Sequence, residues 1–361
     1  MSYNIEFLLQ LIDQASSPTD LFGADATIET VNKAYRRMAK NIHPDVLGQE
    51  GESVRKQAGE MFAKLNNLYN RAVAQLEGSV RGCNDTVNTA ESKFTIRNVE
   101  YTMTEPLAEG DVSDVYLGYY GSEKKPMIVK IGFGENAADI RANNQLLKNE
   151  SQMLKTLWKI DGLIAPQLPK LLEQFQTDDK RLANILTYSK GLDLEALRAL
   201  PHYRKGVPAQ HVAWIMTRVL STLSVVHDQG ITHNNINPSH IIVDPVPHYA
   251  ALIDWCYSAK EGGAFRARDC DYSAPEVSKD GRPTPSTDIY SLGKSMVYLL
   301  GGNTDTGEMP SSVPGKFKKL LEWTMRDSVL QRPRDAYELK TYLQELREEL
   351  WGQVGYLEFP V

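Results

Sequence analysis

Long apolar runs are missing from this 361-residue chain. No uninterrupted stretch approaches the roughly 20 apolar residues that a membrane-spanning helix requires. The opening Met1-Ser2-Tyr3-Asn4 also lacks the basic region and apolar run of a secretion signal. Cysteine is scarce: Cys83, Cys256 and Cys270 are the only three, and their spacing suits neither a disulfide framework nor a zinc site. A reducing cytoplasm is therefore the expected compartment. Strong charge of either sign is absent too. A net charge of -6 gives no global field to draw nucleic acid or an anionic membrane, and neither is expected as a partner.

What is present is ordinary globular material. Apolar residues make up 42% and charged residues 24%, which excludes a disordered or fibrous chain. The length exceeds the usual extent of one hydrophobic core, so two domains are expected. To about Glu77 the pattern is helical. From Gly78 to Ser92 the sequence becomes GSVRGCNDTVNTAES, small and polar residues that cannot hold a core and suit a linker. After it come short β-rich runs, VEYTMTEPL, DVYLGYY and PMIVKIGF, separated by turn material such as Gly121 to Lys125. Beyond Val207 the pattern is mostly helical. The expectation is a small sheet-rich lobe followed by a larger helical lobe, with no internal repeat.

In the amino-terminal stretch TIETVNKAYRRMAKNIHPDV, Ile28, Val31, Tyr35, Met38 and Ile42 recur at steps of three and four and line one face of a helix. Lys33, Arg36, Arg37 and Lys40 form a basic strip on the opposite side. The helix must stop near His43, because Pro44 disfavours helical geometry in the residue before it. A second amphipathic pattern carries Phe62, Leu65, Tyr69 and Ala72 on one face. Two antiparallel helices would pack these faces together and leave His43, Pro44 and Asp45 at an exposed loop tip.

The string KAYRRMAKNIHPD resembles helix two and the His-Pro-Asp loop of DnaJ-type J domains, and EMFAKLNNLYNRA resembles their helix three. The resemblance covers about residues 20 to 76. It implies an all-α J domain whose His43, Pro44, Asp45, Lys33, Arg36, Arg37 and Lys40 dock onto a DnaK-type heat-shock chaperone and stimulate its ATPase. NIEFLLQLIDQA departs from the family's Tyr-rich opening, which leaves the first helix open.

Further along, LAEGDVSDVYLG offers Ala108, Gly110 and Ser113 between two expected strands, where small residues let backbone N-H groups approach a phosphate. Lys130 sits within the apolar strand PMIVKIGF and needs a partner there, for which Glu150 in the half-buried helix LLKNESQMLKTL is the natural choice. The stretch ending HDQGITHNNINPSHIIVD, then LIDWCYS, YSAPEV, STDIYSLGKSMVYLLGG and QRPRD, follow in the order and spacing of the protein kinases. This second resemblance covers about residues 99 to 350. It implies a bilobal fold that binds ATP and magnesium, with Gly110, Val115, Lys130, Glu150 and Asp254 around the nucleotide and Asp254 as the metal ligand. Glu276, Asp288 and Arg332 fall on structural positions of that family.

The departures fall in the catalytic loop. His233 and Pro238 are in place, but Asn235 stands where the family has the aspartate that accepts the acceptor hydroxyl's proton, and an amide cannot accept it at neutral pH. Asn237 replaces the lysine that steadies the phosphate, and His240 replaces the asparagine that binds a second magnesium. His240 is read as a histidine satisfied by backbone hydrogen bonding rather than as a ligand. Trp255 and Cys256 replace the Phe-Gly that follows the metal-binding aspartate.

The expected architecture is α+β: a J domain over 1–77 with its core at about 20–76, a linker over 78–98, and a kinase-like domain over 99–361. The leading functional expectation is a co-chaperone whose kinase-like domain is a pseudokinase, binding nucleotide or an unidentified client protein without catalysing transfer. The alternative is an ATP-dependent protein kinase or nucleotidyltransferase with an atypical loop, built on Lys130 and Asp254. A purely structural kinase-like domain is the third reading.

Overall fold

The structure is a computed structural model, and it describes residues 5–15, 17–23, 31, 34, 38, 57, 61, 64, 65, 68, 69 and 72, and 92–359 apart from 135, 161–163, 165–166, 245–248, 267–270, 279–280 and 353–358. It divides into two compact units, Met1–Asn88 and Thr89–Val361.

The first unit opens with helices α1 (Ile5–Gln14) and α2 (Pro18–Phe22). The segment whose helical character the sequence left open is thus a helix. Leu8, Leu9 and Ile12 recur on one face of α1 and are buried with Met38, Met61 and Leu65, which puts the expected inward positions Met38 and Leu65 in one apolar cluster. Val31 and Ala72 are also buried. Ser17 N donates to Asp20 Oδ2 at 2.8 Å, which satisfies a donor at the start of α2. Lys64 Nζ donates to the carbonyl of Asp13 at 2.6 Å and ties the later helical segment to the end of α1. His43, Pro44, Asp45, Lys33, Arg36, Arg37 and Lys40 all lie outside the described residues.

The second unit begins with an antiparallel six-stranded sheet in the order β1-β2-β3-β4-β6-β5. Its strands are β1 (Ser92–Ile96), β2 (Val99–Glu109), β3 (Ser113–Tyr120), β4 (Lys125–Gly132), β5 (Leu171–Gln176) and β6 (Leu182–Thr187). β1 falls inside the segment expected as a linker. Alternation puts Phe94 and Ile96 on one face, where Phe94 stacks on Tyr101 with centroids 5.6 Å apart and meets Phe175 at 5.4 Å. Two apolar residues in five are too few to outweigh polar composition in a sequence reading. β2 pairs with β3 through register shifts on either side of Pro106, where proline's missing N-H interrupts the ladder.

Helix α3 (Ala137–Leu157) packs against this sheet, its amino end capped by Asn136 Oδ1 accepting from Ala138 N and Asp139 N. A short strand β7 (Leu192–Asp193) and helix α4 (Leu194–Ala199) then lead into the helical lobe. Its axis is α5 (Ala209–Asp228), buried nearly all round: Val212, Ile215, Met216, Val219, Leu220 and Leu223 are each fully enclosed. Around it lie α6 (Pro285–Leu299), α7 (Gly315–Thr324) and α8 (Ala336–Trp351), with short strands β8 (Ile231–Thr232), β9 (Ile241–Asp244), β10 (Tyr249–Leu252) and β11 (Ala259–Lys260). β9 and β10 form a hairpin extended by β7, and β8 pairs with β11. The loop between β8 and β9 carries Asn235, Asn237 and His240, and the loop after β10 carries Asp254, Trp255 and Cys256. No helix among the described residues is long and apolar enough to cross a membrane.

Candidate functional site

Between the sheet and the helical lobe lies a cleft of about 760 Å³, within the size range of nucleotide pockets. Gly110, Val115, Lys130, Asn235, His240 and Asp254 all line it. At its rim Gly110 N donates to Ser113 O at 3.1 Å, closing a tight turn between β2 and β3. A side chain at Gly110 would place its Cβ 2.9 Å from that same carbonyl, so glycine is required by close approach.

Lys130 lies on the central strand β4, paired on one side with Val115 of β3 and on the other with Asn184 of β6. That puts its ammonium inside the protein, 8% exposed, where a lone charge would be costly. Three groups meet it: Glu150 Oε1 at 2.9 Å, Asp254 Oδ1 in a short contact, and Cys256 Sγ at 3.3 Å. Burial pushes the ammonium's pKa down, but Asp254, Cys256 and Glu150 outweigh it and hold Lys130 well above its ordinary value. Asp254 shows the mirror balance. Burial raises its pKa, while Lys130 and then His240 hold the carboxyl well below the usual range.

Two asparagines that drew no attention in the sequence complete this cluster. Asn184 Nδ2 donates to Glu150 Oε2 and to the carbonyl of Leu147, each at 2.9 Å, so both oxygens of the fully buried Glu150 are occupied. Asn149 Nδ2 donates to the carbonyls of Cys256 at 2.9 Å and Ser258 at 2.7 Å, fastening α3 to the chain after Asp254. Nothing in a buried asparagine's sequence context marks it; only the surrounding apolar residues of α3 and β6 hint that its amide needs partners.

The loop between β8 and β9 is held by Asp288 on α6. Its Oδ2 accepts from His233 N at 2.8 Å and contacts His227 Nε2 at 2.9 Å, and its Oδ1 accepts from Asn234 N at 2.8 Å. His233 is enclosed, and burial drives its pKa down to about 4 against the opposing pull of Asp288. It is therefore neutral at pH 7. Its Nδ1 accepts from Asn235 N at 3.2 Å, which leaves the hydrogen on Nε2 to be donated to the carbonyl of Ile253 at 3.1 Å. Asn234 and Asp254 both take the left-handed conformation, with φ of 62°. Trp255 is fully buried, donates Nε1 to the carbonyl of Leu252 at 3.0 Å and meets the His233 ring edge-on at 4.5 Å.

Asn235 does not stand idle. Its Nδ2 donates to Asp254 Oδ2 at 2.6 Å. His240 Nδ1 lies 2.8 Å from the carbonyl of Asn235, and its Nε2 lies 3.7 Å from Asp254 Oδ2. Asn237 Oδ1 accepts from Ser239 N at 3.0 Å and Ser239 Oγ at 2.7 Å. Farther away, Arg332 grips Glu276 with two bonds of 2.8 Å each.

Residues 101–344, more than half of the chain, match the family model described as protein kinase domain, and the chain belongs to that family. It is similar to serine/threonine-protein kinase D of Synechocystis sp., 25% identical over 55% of this chain and 40% of that protein. Serine/threonine-protein kinase B of the same organism is 28% identical over 56% of this chain and 39% of that protein. Rho-associated protein kinase 1 of Homo sapiens is 24% identical over 66% of this chain and 17% of its own length. The chain thus spans about two fifths of the length of the Synechocystis relatives it matches.

ATP and magnesium are implied by the family, and the residues present fit them unequally. The cleft volume, the buried ammonium of Lys130 and the Asp254 carboxylate suit a triphosphate and one oxygen-bound cation. Bound magnesium would neutralise phosphate charge there. The second-cation position offers the imidazole of His240 instead of an amide oxygen, a poor ligand for Mg²⁺.

Proposed function

We propose that the chain is a nucleotide-binding member of the protein kinase family whose cleft holds ATP through Lys130, positioned by Glu150, and a cation through Asp254. Gly110 and Val115 cover the nucleotide in this reading, and Glu276, Arg332 and Asp288 maintain the frame. The observation that carries it is the meeting of Lys130, Glu150 and Asp254 at the wall of the cleft. Thermal unfolding with and without ATP and a divalent cation tests it. A ligand at a hundred times its dissociation constant stabilises by about 2.7 kcal/mol. No shift at millimolar ATP with Mg²⁺ or Mn²⁺, or a shift that survives Asp254→Ala, overturns it.

Two finer readings divide on the fate of the phosphate. Phosphoryl transfer is the better supported by kinship, since the matching proteins are named serine/threonine-protein kinases. Against the family's own route stands Asn235, whose amide donates to Asp254 and offers no base to an acceptor hydroxyl. Labelled ATP decides between them: transfer that disappears in Asp254→Ala establishes the enzyme, and its absence where ATP binds establishes a binding module.

The co-chaperone role rests on residues 20 to 76 of the sequence alone. In it, His43, Pro44 and Asp45, with Lys33, Arg36, Arg37 and Lys40, engage a DnaK-type chaperone, and the kinase-family domain supplies a client or a nucleotide signal. Stimulation of that chaperone's ATPase, lost in His43→Gln, is the expected result. No stimulation, or equal stimulation by the variant, rules it out.

A further inference from the structure

We propose that Arg218 and Arg347 form a seat for a phosphate dianion on the helical lobe. Neither residue lines the cleft, so the seat stands apart from the nucleotide-binding reading.

Unused hydrogen-bonding capacity is the first support. Helix α8 packs along α5, and Arg347 reaches across from α8 to place Nη1 3.4 Å from Thr217 Oγ1. Arg218, exposed, is the next residue of α5. The contact to Thr217 is long, and that hydroxyl is neutral and already donates to the carbonyl of Ala213 at 2.7 Å. Among the described residues it is the one hydrogen bond that Arg347 makes, and the buried Nε makes none. A guanidinium carries five N-H donors in a planar fork, so most of this one is idle. A buried N-H without a partner is uncommon in folded proteins, and a bound ion is one of its few explanations. Arg347 as a whole is half-buried, so the pair opens to solvent on the Arg218 side, and a turn about its loosely held side chain would bring Nε to a ligand.

Charge makes the same demand. Arginine is not deprotonated in proteins, so burial cannot neutralise Arg347. Burial, and then the like charge of Arg218, push its pKa down, which marks the two cations as neighbours that repel. No carboxylate among the described residues offsets Arg347; Glu349, two positions further along α8, is taken by Lys316. The ligand class follows from charge and shape. Two guanidinium forks match the oxygens of a phosphate, and one small group must bring close to two negative charges. A phosphomonoester carries about -1.5 to -2 at pH 7 on three acceptor oxygens, enough for one edge to meet Arg347 and another Arg218. A carboxylate brings one charge and two oxygens, which leaves one of the forks unmatched.

The test titrates the full chain at low ionic strength, by calorimetry, with inorganic phosphate, with a short phosphoserine peptide of otherwise uncharged residues, and with the same peptide unphosphorylated. The phosphate-bearing probes are expected to bind, and the unphosphorylated peptide to bind at least about tenfold more weakly. Arg218→Gln, at an exposed position whose loss spares the core, should weaken binding about tenfold or more, and so should Arg347→Gln. Arg347→Lys keeps the charge without the fork and should recover only part of the loss. Tighter binding of the phosphopeptide supports the seat and identifies a phosphorylated side chain as its occupant. Equal or tighter binding of inorganic phosphate supports it and identifies the free anion. No binding of either probe, binding unchanged in Arg218→Gln, or binding displaced by ATP with Mg²⁺ overturns the seat, because any anion that binds then lies elsewhere.

Discussion

Replacing Lys130 with methionine keeps a long side chain on β4 but removes the ammonium that Glu150 and Asp254 share. Glu150 is fully buried and would retain a single side-chain donor, Asn184. Breaking a buried ion pair from one side costs about 3 to 5 kcal/mol, because a charge is left without compensation. Asp254 opens onto the cleft and can be rehydrated there, which places the expected loss near the lower figure, about 3 kcal/mol. All five tryptophans, Trp158, Trp214, Trp255, Trp323 and Trp351, lie in the second unit, so their fluorescence in urea reports that unit alone. Adding Glu150→Gln to Lys130→Met should recover part of the loss, since the amide leaves no orphan charge. A loss under about 1 kcal/mol, the range of solvent-exposed pairs, would refute the account of a desolvated cluster.

Arg332→Met leaves the Glu276 carboxylate without its bidentate partner and also frees the carbonyls of Arg326, Asp327 and Ser286, with an expected cost of about 3 to 5 kcal/mol in the same urea assay. His233, whose pKa falls from 6.5 to about 4 on folding, contributes stability that is complete above pH 6.5 and is lost as pH falls toward 4. That amounts to about 3 kcal/mol over the window, and His233→Gln should flatten this part of the wild-type pH profile. Asp288→Asn removes the charge that receives His233 N and Asn234 N, with an expected loss of about 2 kcal/mol.

Much of the second unit was legible because its signals are periodic or costly. A lysine in an apolar strand demands an opposite charge, and Glu150 in a half-buried helix supplied it. Arg332 and Glu276, which fall on structural positions of the resembled family, pair with each other. What escaped were contacts made through backbone carbonyls and amides: Asn149 gripping the chain after Asp254, Asn184 holding Glu150, and β1 within apparent linker sequence. Such partners depend on tertiary placement and leave no spacing to detect. His240 was half read. Its backbone bond was anticipated, but the direction in which that bond aims the other nitrogen emerges only from the fold. For the amino-terminal unit, the core positions Met38 and Leu65 meet as their periodicity required, while the loop motif itself lies outside the described residues.

The altered loop carries a polar network centred on Asp254, which makes the reversion Asn235→Asp informative. The amide that now donates to Asp254 would become a second carboxylate 2.6 Å from the first, and two carboxylates that close cannot both remain ionised without displacement. Losing one hydrogen bond to a charged group costs about 1.5 to 3 kcal/mol, and the repulsion adds to it until the new side chain turns away. Restoring the base therefore destabilises the second unit near pH 7 and less so at pH 4, where one carboxylate takes a proton. It also leaves Asn237 and His240 in place, so transfer from labelled ATP should remain at the wild-type level. Greater stability in Asn235→Asp, or transfer activity gained by that single change, would mean that Asn235 merely fills a vacated position. The hydrogen bonds argue instead that the loop has been rebuilt around it, with Asp254 as the common partner.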